Sequence, residues 1–364
     1  MKQADLIWMN GTLVPWEDAK VHVLTHALHY GTGVFEGIRC YETERGPAIF
    51  RHQDHLDRLE RSAGLYHMPI PYSLEELRAA THELIARNGL HSCYIRPLVI
   101  RGVGPMGLFP LEAPVDVVIA AWEWGAYLGE EAKLKGCRVK VSTWRRINSD
   151  SLIPQAKATG QYLNSVLAKI ETHEAGYDEA ILLDDAGHVC EGSGENIFVV
   201  RDGVIHTPPQ TASILDGITR RSIVQLARDL GYTVVERDLA RAELYLADEV
   251  FMTGTAAELV PVCEIDERPI GAGRPGEVTC VLRGTLDDVL HGRNERYHEW
   301  LDVVEVGAAP AAATDAAGAA GAAGAAATEA PEGTEPPAAA SAGTQAVAPA
   351  ASEAAAGRIT GAVR

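Results

Sequence analysis

QAKATGQYLNS (155–165) sets Lys157 among Ala156, Ala158, Thr159 and Gly160, directly ahead of a helical pattern in which Leu163, Val166, Leu167 and Ile170 share one face. Strand-like runs flank it, CRVKVSTW (137–144) before and EAILLD (179–184) and NIFVV (196–200) after. A second helical pattern opens after Gly217, presents Ile223, Leu226, Ala227 and Leu230, and stops at Gly231. Strands interleaved with helices predict an α/β domain over 137–304. A lysine that attacks an aldehyde must be available as the free amine, and small apolar neighbours favour that form. A single lysine is ordinarily a solvated surface charge, so its chemistry has to be argued from other segments.

Toward the N-terminus, LIWMNGTLV (6–14) carries Asn10-Gly11 between apolar runs, a hairpin signal. Leu77, Thr81, Leu84 and Ile85 share a face in a helix expected over 74–88, stopped by Gly89. CYIRPLVIR (93–101) and VDVVIAAWEW (115–124) read as strands. The expected architecture is α+β, two α/β domains with a cleft between them: 1–124, a glycine-containing charged linker at 125–136, and 137–304. Residues 305–364 hold no aromatic side chain, six acidic residues and two arginines, so they cannot bury enough apolar area to offset ordering entropy and read as a disordered Ala/Gly/Pro-rich tail.

A net charge of −18 argues against nucleic acid as a partner, because phosphate backbones are held by clustered Lys and Arg. No apolar run reaches the roughly 20 residues of a membrane helix, no secretory pattern opens the chain, and a cytoplasmic location is expected. Six widely spaced cysteines suggest neither a zinc site nor a disulfide framework, only buried or inert thiols.

CEGSGENIF (190–198) brackets a Gly-Ser-Gly turn with two carboxylates, Glu191 and Glu195, which serve either as solvated acids of a tight hairpin or as the partner of a protonated ring nitrogen. LDGITRRSIVQL (215–226) opens a helix at Gly217, Ile218 and Thr219, leaving N–H groups free for a phosphate. FMTGTAAELVP (251–261) offers Thr253, Gly254 and Thr255 to anionic oxygens, or is a plain turn. GVGPMG (102–107) matches a dinucleotide pattern, but Pro105 lies inside it and no amphipathic helix follows, so it is set aside.

HALHYGTGVFEGIRCY, RLERSA, YIRPLVI, WEWGAYLG, KATGQYLNS, EGSGENIF, LDGITR and FMTGTAAE follow in the order of the fold-type IV pyridoxal-phosphate enzymes, and over residues 6–304 the chain most resembles their bacterial branched-chain aminotransferases. The resemblance implies pyridoxal 5'-phosphate bound covalently by Lys157, which then moves the proton between substrate and cofactor. It implies Glu191, not Glu195, at the pyridine nitrogen, Tyr162 at the phenolic oxygen and Leu215 on the ring face. Arg58, Ile218, Thr219 and Thr255 match the phosphate positions, and Gly254 is a further cofactor-binding position. From its own neighbourhood, Arg58 lies on a helix with Leu56 and Leu59 inward and would pass for a surface charge.

The resemblance further implies an apolar substrate pocket of Phe35, Gly37, Met106, Leu108, Trp124 and Tyr127. Tyr30 and Arg96 would take the distal carboxylate of glutamate, and Tyr94 with the Thr255 and Ala256 amides the α-carboxylate. Tyr94 and Arg96 alternate along one strand and so face one side. The expected reaction moves the amino group of leucine, isoleucine or valine to 2-oxoglutarate, in a homodimer or homohexamer with neighbouring loops closing each site. D-amino acid aminotransferase, aminodeoxychorismate lyase, an (R)-amine transaminase and a non-catalytic scaffold stand as the alternatives.

Overall fold

In the computed structural model, residues 3–125 and 134–305 are described. Asn10 and Gly11 both take positive φ, the backbone twist that a two-residue hairpin needs, and they join strands Leu6–Met9 and Thr12–Pro15. The hairpin is one end of an eight-stranded antiparallel sheet that continues through Val115–Trp122, Cys93–Arg101, Ile38–Thr43 and Gly46–Phe50, with Gly33–Phe35 also paired to Cys93–Arg101. The far end of the chain supplies its last strand, Leu301–Val303, against Gly46–Phe50. Two helices cover one face, His52–Leu65 and Leu74–Arg87. The second starts at a Ser73–Glu76 capping box and ends before Gly89 at φ 61. Leu56, Leu59, Leu77, Leu84 and Ile85 from these helices meet Ile38, Ile95 and Ile119 from the strands.

The second sheet has nine strands in mixed order, with Cys137–Arg145 running parallel to both Glu179–Leu183 and Glu258–Ile265. Helix Ile218–Asp229 buries Ile223, Leu226 and Ala227, as the spacing predicts, while Leu230, at its C-terminal cap, is 45% exposed and leaves the expected face. Phe198, Phe251, Leu282 and Leu286 from this half form one cluster with Tyr41, Phe50 and Leu301 of the first sheet, so a shared apolar core joins the halves.

Helix Tyr162–Glu174 departs from expectation. Its buried residues are Ser165, Ala168 and Thr172, while Leu163, Val166, Leu167 and Ile170 are 42–69% exposed. The small residues recur at helical spacing too and let the helix sit close to the strands beneath, where Thr172 Oγ1 donates to Ala168 O at 3.0 Å. All six cysteines are free thiols, four of them buried, with Cys280 exposed rather than buried. The expected tail lies, apart from Glu305, outside the described residues, as does most of the expected linker.

Candidate active site

One cavity is lined by Arg58, Lys157, Tyr162, Glu191, Leu215, Ile218, Thr219, Gly254 and Thr255, bringing together all nine residues expected around the cofactor. Segments between 58 and 255 converge there because the strand ends of the second sheet and the first helix of the first half meet across it. The Lys157 backbone is clipped to that first half: its N–H donates to Ser62 Oγ (3.1 Å) and its carbonyl accepts from the Phe35 N–H (3.0 Å). Its Nζ donates to Tyr162 Oη at 2.7 Å and stands 5.0 Å from the centre of the Phe35 ring, so the amine is held between an oxygen and an aromatic face.

Glu191 lies on Val189–Gly192, paired across the hairpin with Asn196. Its Oε2 accepts from Asn196 Nδ2 and from the Leu215 N–H, each at 3.0 Å, and its Oε1 meets Arg146 Nη2 at 2.8 Å. Burial raises the Glu191 pKa, and the Arg146 guanidinium, the Leu215 N–H and Lys157 oppose that rise. Glu195 lines the same cavity, but burial and the neighbouring Glu179 push its carboxyl up to about 8. Lys169, which pairs with Glu179 at 2.5 Å, opposes that rise. The sequence reading does not include Arg146 or Asn196. Asn196 lies inside the EGSGENIF motif without standing out there, and Arg146 belongs to no motif; only the tertiary pairing with Glu191 identifies them.

At the other end of the cavity, helix Ile218–Asp229 begins at Gly217 with no side chain on its first N–H groups, leaving them for an anion. A Cβ at Gly217 would stand 2.0 Å from Asn196 Oδ1, so glycine lets the helix end approach the side chain that orients Glu191. Arg58 is buried, not a surface charge. Its Nε and Nη2 donate to Glu36 at 2.7 and 2.9 Å and its Nη1 donates to Asp216 O at 2.8 Å. Burial would raise the Glu36 pKa, but Arg58 and His55 hold it well below the usual carboxylate range. Thr253 Oγ1, in the cavity wall, is buried without a hydrogen-bond partner. An amine, a carboxylate, a helix N-terminus, an arginine and an unsatisfied hydroxyl around one cavity fit pyridoxal phosphate, which carries an aldehyde, a basic nitrogen and a phosphate.

Of the expected substrate residues, Phe35 meets Tyr162 edge-on at 4.8 Å, and Arg96 lies 4.7 Å from the Phe35 ring with Nη2 donating to Tyr94 Oη at 3.1 Å. Trp124 packs edge-on against Tyr94 at 4.6 Å. A Cβ at Gly37 would stand 2.0 Å from Tyr94 Oη, so this glycine makes room for the tyrosine. Thr255 lines the cavity and half-buried Ala256 follows it. Thr255 is the one expected substrate residue among the described residues that lines the cavity itself; Phe35, Gly37, Tyr94, Arg96 and Trp124 form a cluster that meets it through Phe35 against Lys157 and Tyr162, whereas Tyr30, Met106 and Leu108 lie apart, the Tyr30 hydroxyl donating to Met106 O at 3.4 Å and Leu108 87% exposed. All three are exposed, and His26 Nε2 bonds Gly107 O, between Met106 and Leu108, at 2.9 Å. Tyr127 lies outside the described residues.

Residues 33–265 match the family Amino-transferase class IV. A branched-chain-amino-acid aminotransferase of Pseudomonas aeruginosa (strain PAO1) is 50% identical over 308 residues, covering 84% of this chain and 100% of the relative. The crystal structure of an Escherichia coli branched-chain amino acid aminotransferase superposes with a TM-score of 0.82 at 50% identity, over 83% of this chain and 100% of that one. A branched-chain aminotransferase from the thermophilic archaeon Thermoproteus uzoniensis, solved with norvaline, gives 0.80 at 43% identity over 83% and 100%. With the nine cofactor-matching residues around one cavity and this likeness running through both sheets, the chain belongs to the class IV aminotransferases.

Proposed function

We propose that this protein is a pyridoxal-phosphate-dependent branched-chain aminotransferase that moves the amino group of leucine, isoleucine or valine to 2-oxoglutarate. The observation that carries the reading is Lys157 and Glu191 facing one cavity whose far wall is the start of helix Ile218–Asp229. Pyridoxal phosphate, when bound, supplies the electron sink for the carbanion at the substrate α-carbon. Lys157 then serves as covalent anchor and as the base that takes the α-proton, Tyr162 orients its Nζ, and Glu191 keeps charge at the ring nitrogen. Arg58, Thr219 and Thr255 anchor the phosphate. Phe35, Tyr94 and Trp124 wall an apolar pocket, and Arg96 receives the distal carboxylate of glutamate.

The proposal includes a cytoplasmic homodimer or homohexamer and a division into residues 1–124 and 137–304. Support for assembly comes from the exposed apolar face of Tyr162–Glu174 and from the exposed side chains of Tyr30, Met106 and Leu108. Support for the division comes from the two sheets; Leu301–Val303, which pairs with Gly46–Phe50, is the exception, a strand of the first sheet supplied from the second range. No helix among the described residues is long and apolar enough to cross a membrane.

The test is a panel of amino donors, including D-alanine, (R)-amines and aminodeoxychorismate, with 2-oxoglutarate or pyruvate as acceptor. Leucine should bleach the absorbance of the bound cofactor, and Lys157→Ala should abolish turnover. Wild-type turnover of leucine by that variant overturns the assignment.

A further inference from the structure

Arg146 follows directly on strand Cys137–Arg145, and its backbone N–H continues the pairing onto Leu183 O at 2.8 Å. Its side chain turns into the cavity wall, with Nε donating to Ser213 O at 3.2 Å and Nη2 2.8 Å from Glu191 Oε1. Both side chains are under 10% exposed. Ser213 itself sits in the left-handed region at φ 58, a conformation costly for a residue with a Cβ, and it presents the carbonyl that orients the guanidinium. The arginine is therefore fixed at both ends.

We propose that Arg146 is a positioning residue that keeps Glu191 ionised, so that the proton shared between this carboxylate and the cofactor's ring nitrogen rests on the nitrogen. This rests on the functional reading above, in which Glu191 faces that nitrogen. The physical argument starts from burial. A carboxylate out of water tends to take up a proton unless a fixed cation or N–H donors stabilise its charge. Asn196 Nδ2 and the Leu215 N–H occupy Oε2, but both are neutral. Among the described residues, Arg146 makes the one ion pair with Glu191. Remove it, and a proton moves from the ring nitrogen to the carboxyl oxygen. The ring becomes a neutral pyridine and withdraws electrons less well.

The experiment is ¹⁵N NMR of the holoenzyme, reconstituted with cofactor labelled at the ring nitrogen, for wild type, Arg146→Gln, Arg146→Lys and Glu191→Gln. In wild type the resonance should lie in the pyridinium range, and in Arg146→Gln it should move downfield toward neutral pyridine. Arg146→Lys should restore it in large part. In steady state, Arg146→Gln should lower kcat on the order of 10- to 100-fold with KM changed much less, as when the partner that orients a charged site group is removed. A pyridinium resonance in Arg146→Gln overturns the proposal. So does failure of both Arg146 variants to hold cofactor while Glu191→Gln holds it, because the arginine would then be shaping the cavity and not the charge. If Glu191→Gln leaves the resonance unchanged, Glu191 does not face the nitrogen, and the underlying site reading has failed instead.

Discussion

Arg96 lies between two aromatic faces, 4.7 Å from the Phe35 ring and 5.3 Å from Tyr94, and its Nε is buried without a hydrogen-bond partner. A guanidinium arranged this way has donor capacity left for a carboxylate while its flat faces serve an apolar wall. Arg96→Ala should raise KM for glutamate and 2-oxoglutarate on the order of 10- to 100-fold, the loss of a charged hydrogen bond of about 1.5–3 kcal/mol, and change KM for leucine much less. Equal losses for both substrates, measured in steady state, would show that the arginine supports the pocket without reading the acid. Residue type alone does not separate Arg96 from Arg58 or Arg146. Arg58 looks like a solvated charge because its neighbours on the helix are polar, and its true partner, Glu36, lies 22 residues away in the chain.

Helix Tyr162–Glu174 shows what an element-level reading leaves open. Two faces of it recur at helical spacing, one apolar and one of small residues, and the usual preference for burying the larger apolar face points the wrong way. Ser165, Ala168 and Thr172 go inward because the strands beneath demand a close approach, and the outward face of Leu163, Val166, Leu167 and Ile170 is left exposed. Leu163→Glu combined with Ile170→Glu should leave the circular dichroism spectrum intact and lower the sedimenting mass. An unchanged mass would mean that copies meet elsewhere. Helix Leu74–Arg87 has no such ambiguity, since one apolar face, a capping box and a terminal glycine agree.

For the whole molecule, acid is the informative stress. His52 and His55 are buried, and burial pushes the pKa of each down, to about 4 for His55. Both are neutral in the fold and take protons more readily when unfolded, so stability is present above their ordinary value of 6.5 and is lost as pH falls from there toward about 4. Asp302 extends the loss to lower pH. Burial raises its pKa, but donors from Arg78, His52 and His82 hold it far below 3.8, and this carboxylate ties strand Leu301–Val303 to both helices of the first half. The urea midpoint of the holoenzyme should therefore fall between neutral pH and about pH 4.5, and fall less in His55→Gln, which has no imidazole to titrate. A midpoint that does not move over that range would show that His55 is not held neutral.

The sequence alone determined the α+β class, the strands and helices with agreeing caps and periods, and, through eight motifs in order, the nine residues that line one cavity. Those features are local or reside in residue order, so they survive without coordinates. Only the tertiary structure decided that Glu191 meets Arg146, that burial beside Glu179 raises the Glu195 carboxyl, that Arg58 is buried against Glu36, and which face of Tyr162–Glu174 looks inward. Each of these depends on groups distant in the chain sharing a low-dielectric space, where charge state and packing are set by neighbours that residue spacing does not reveal.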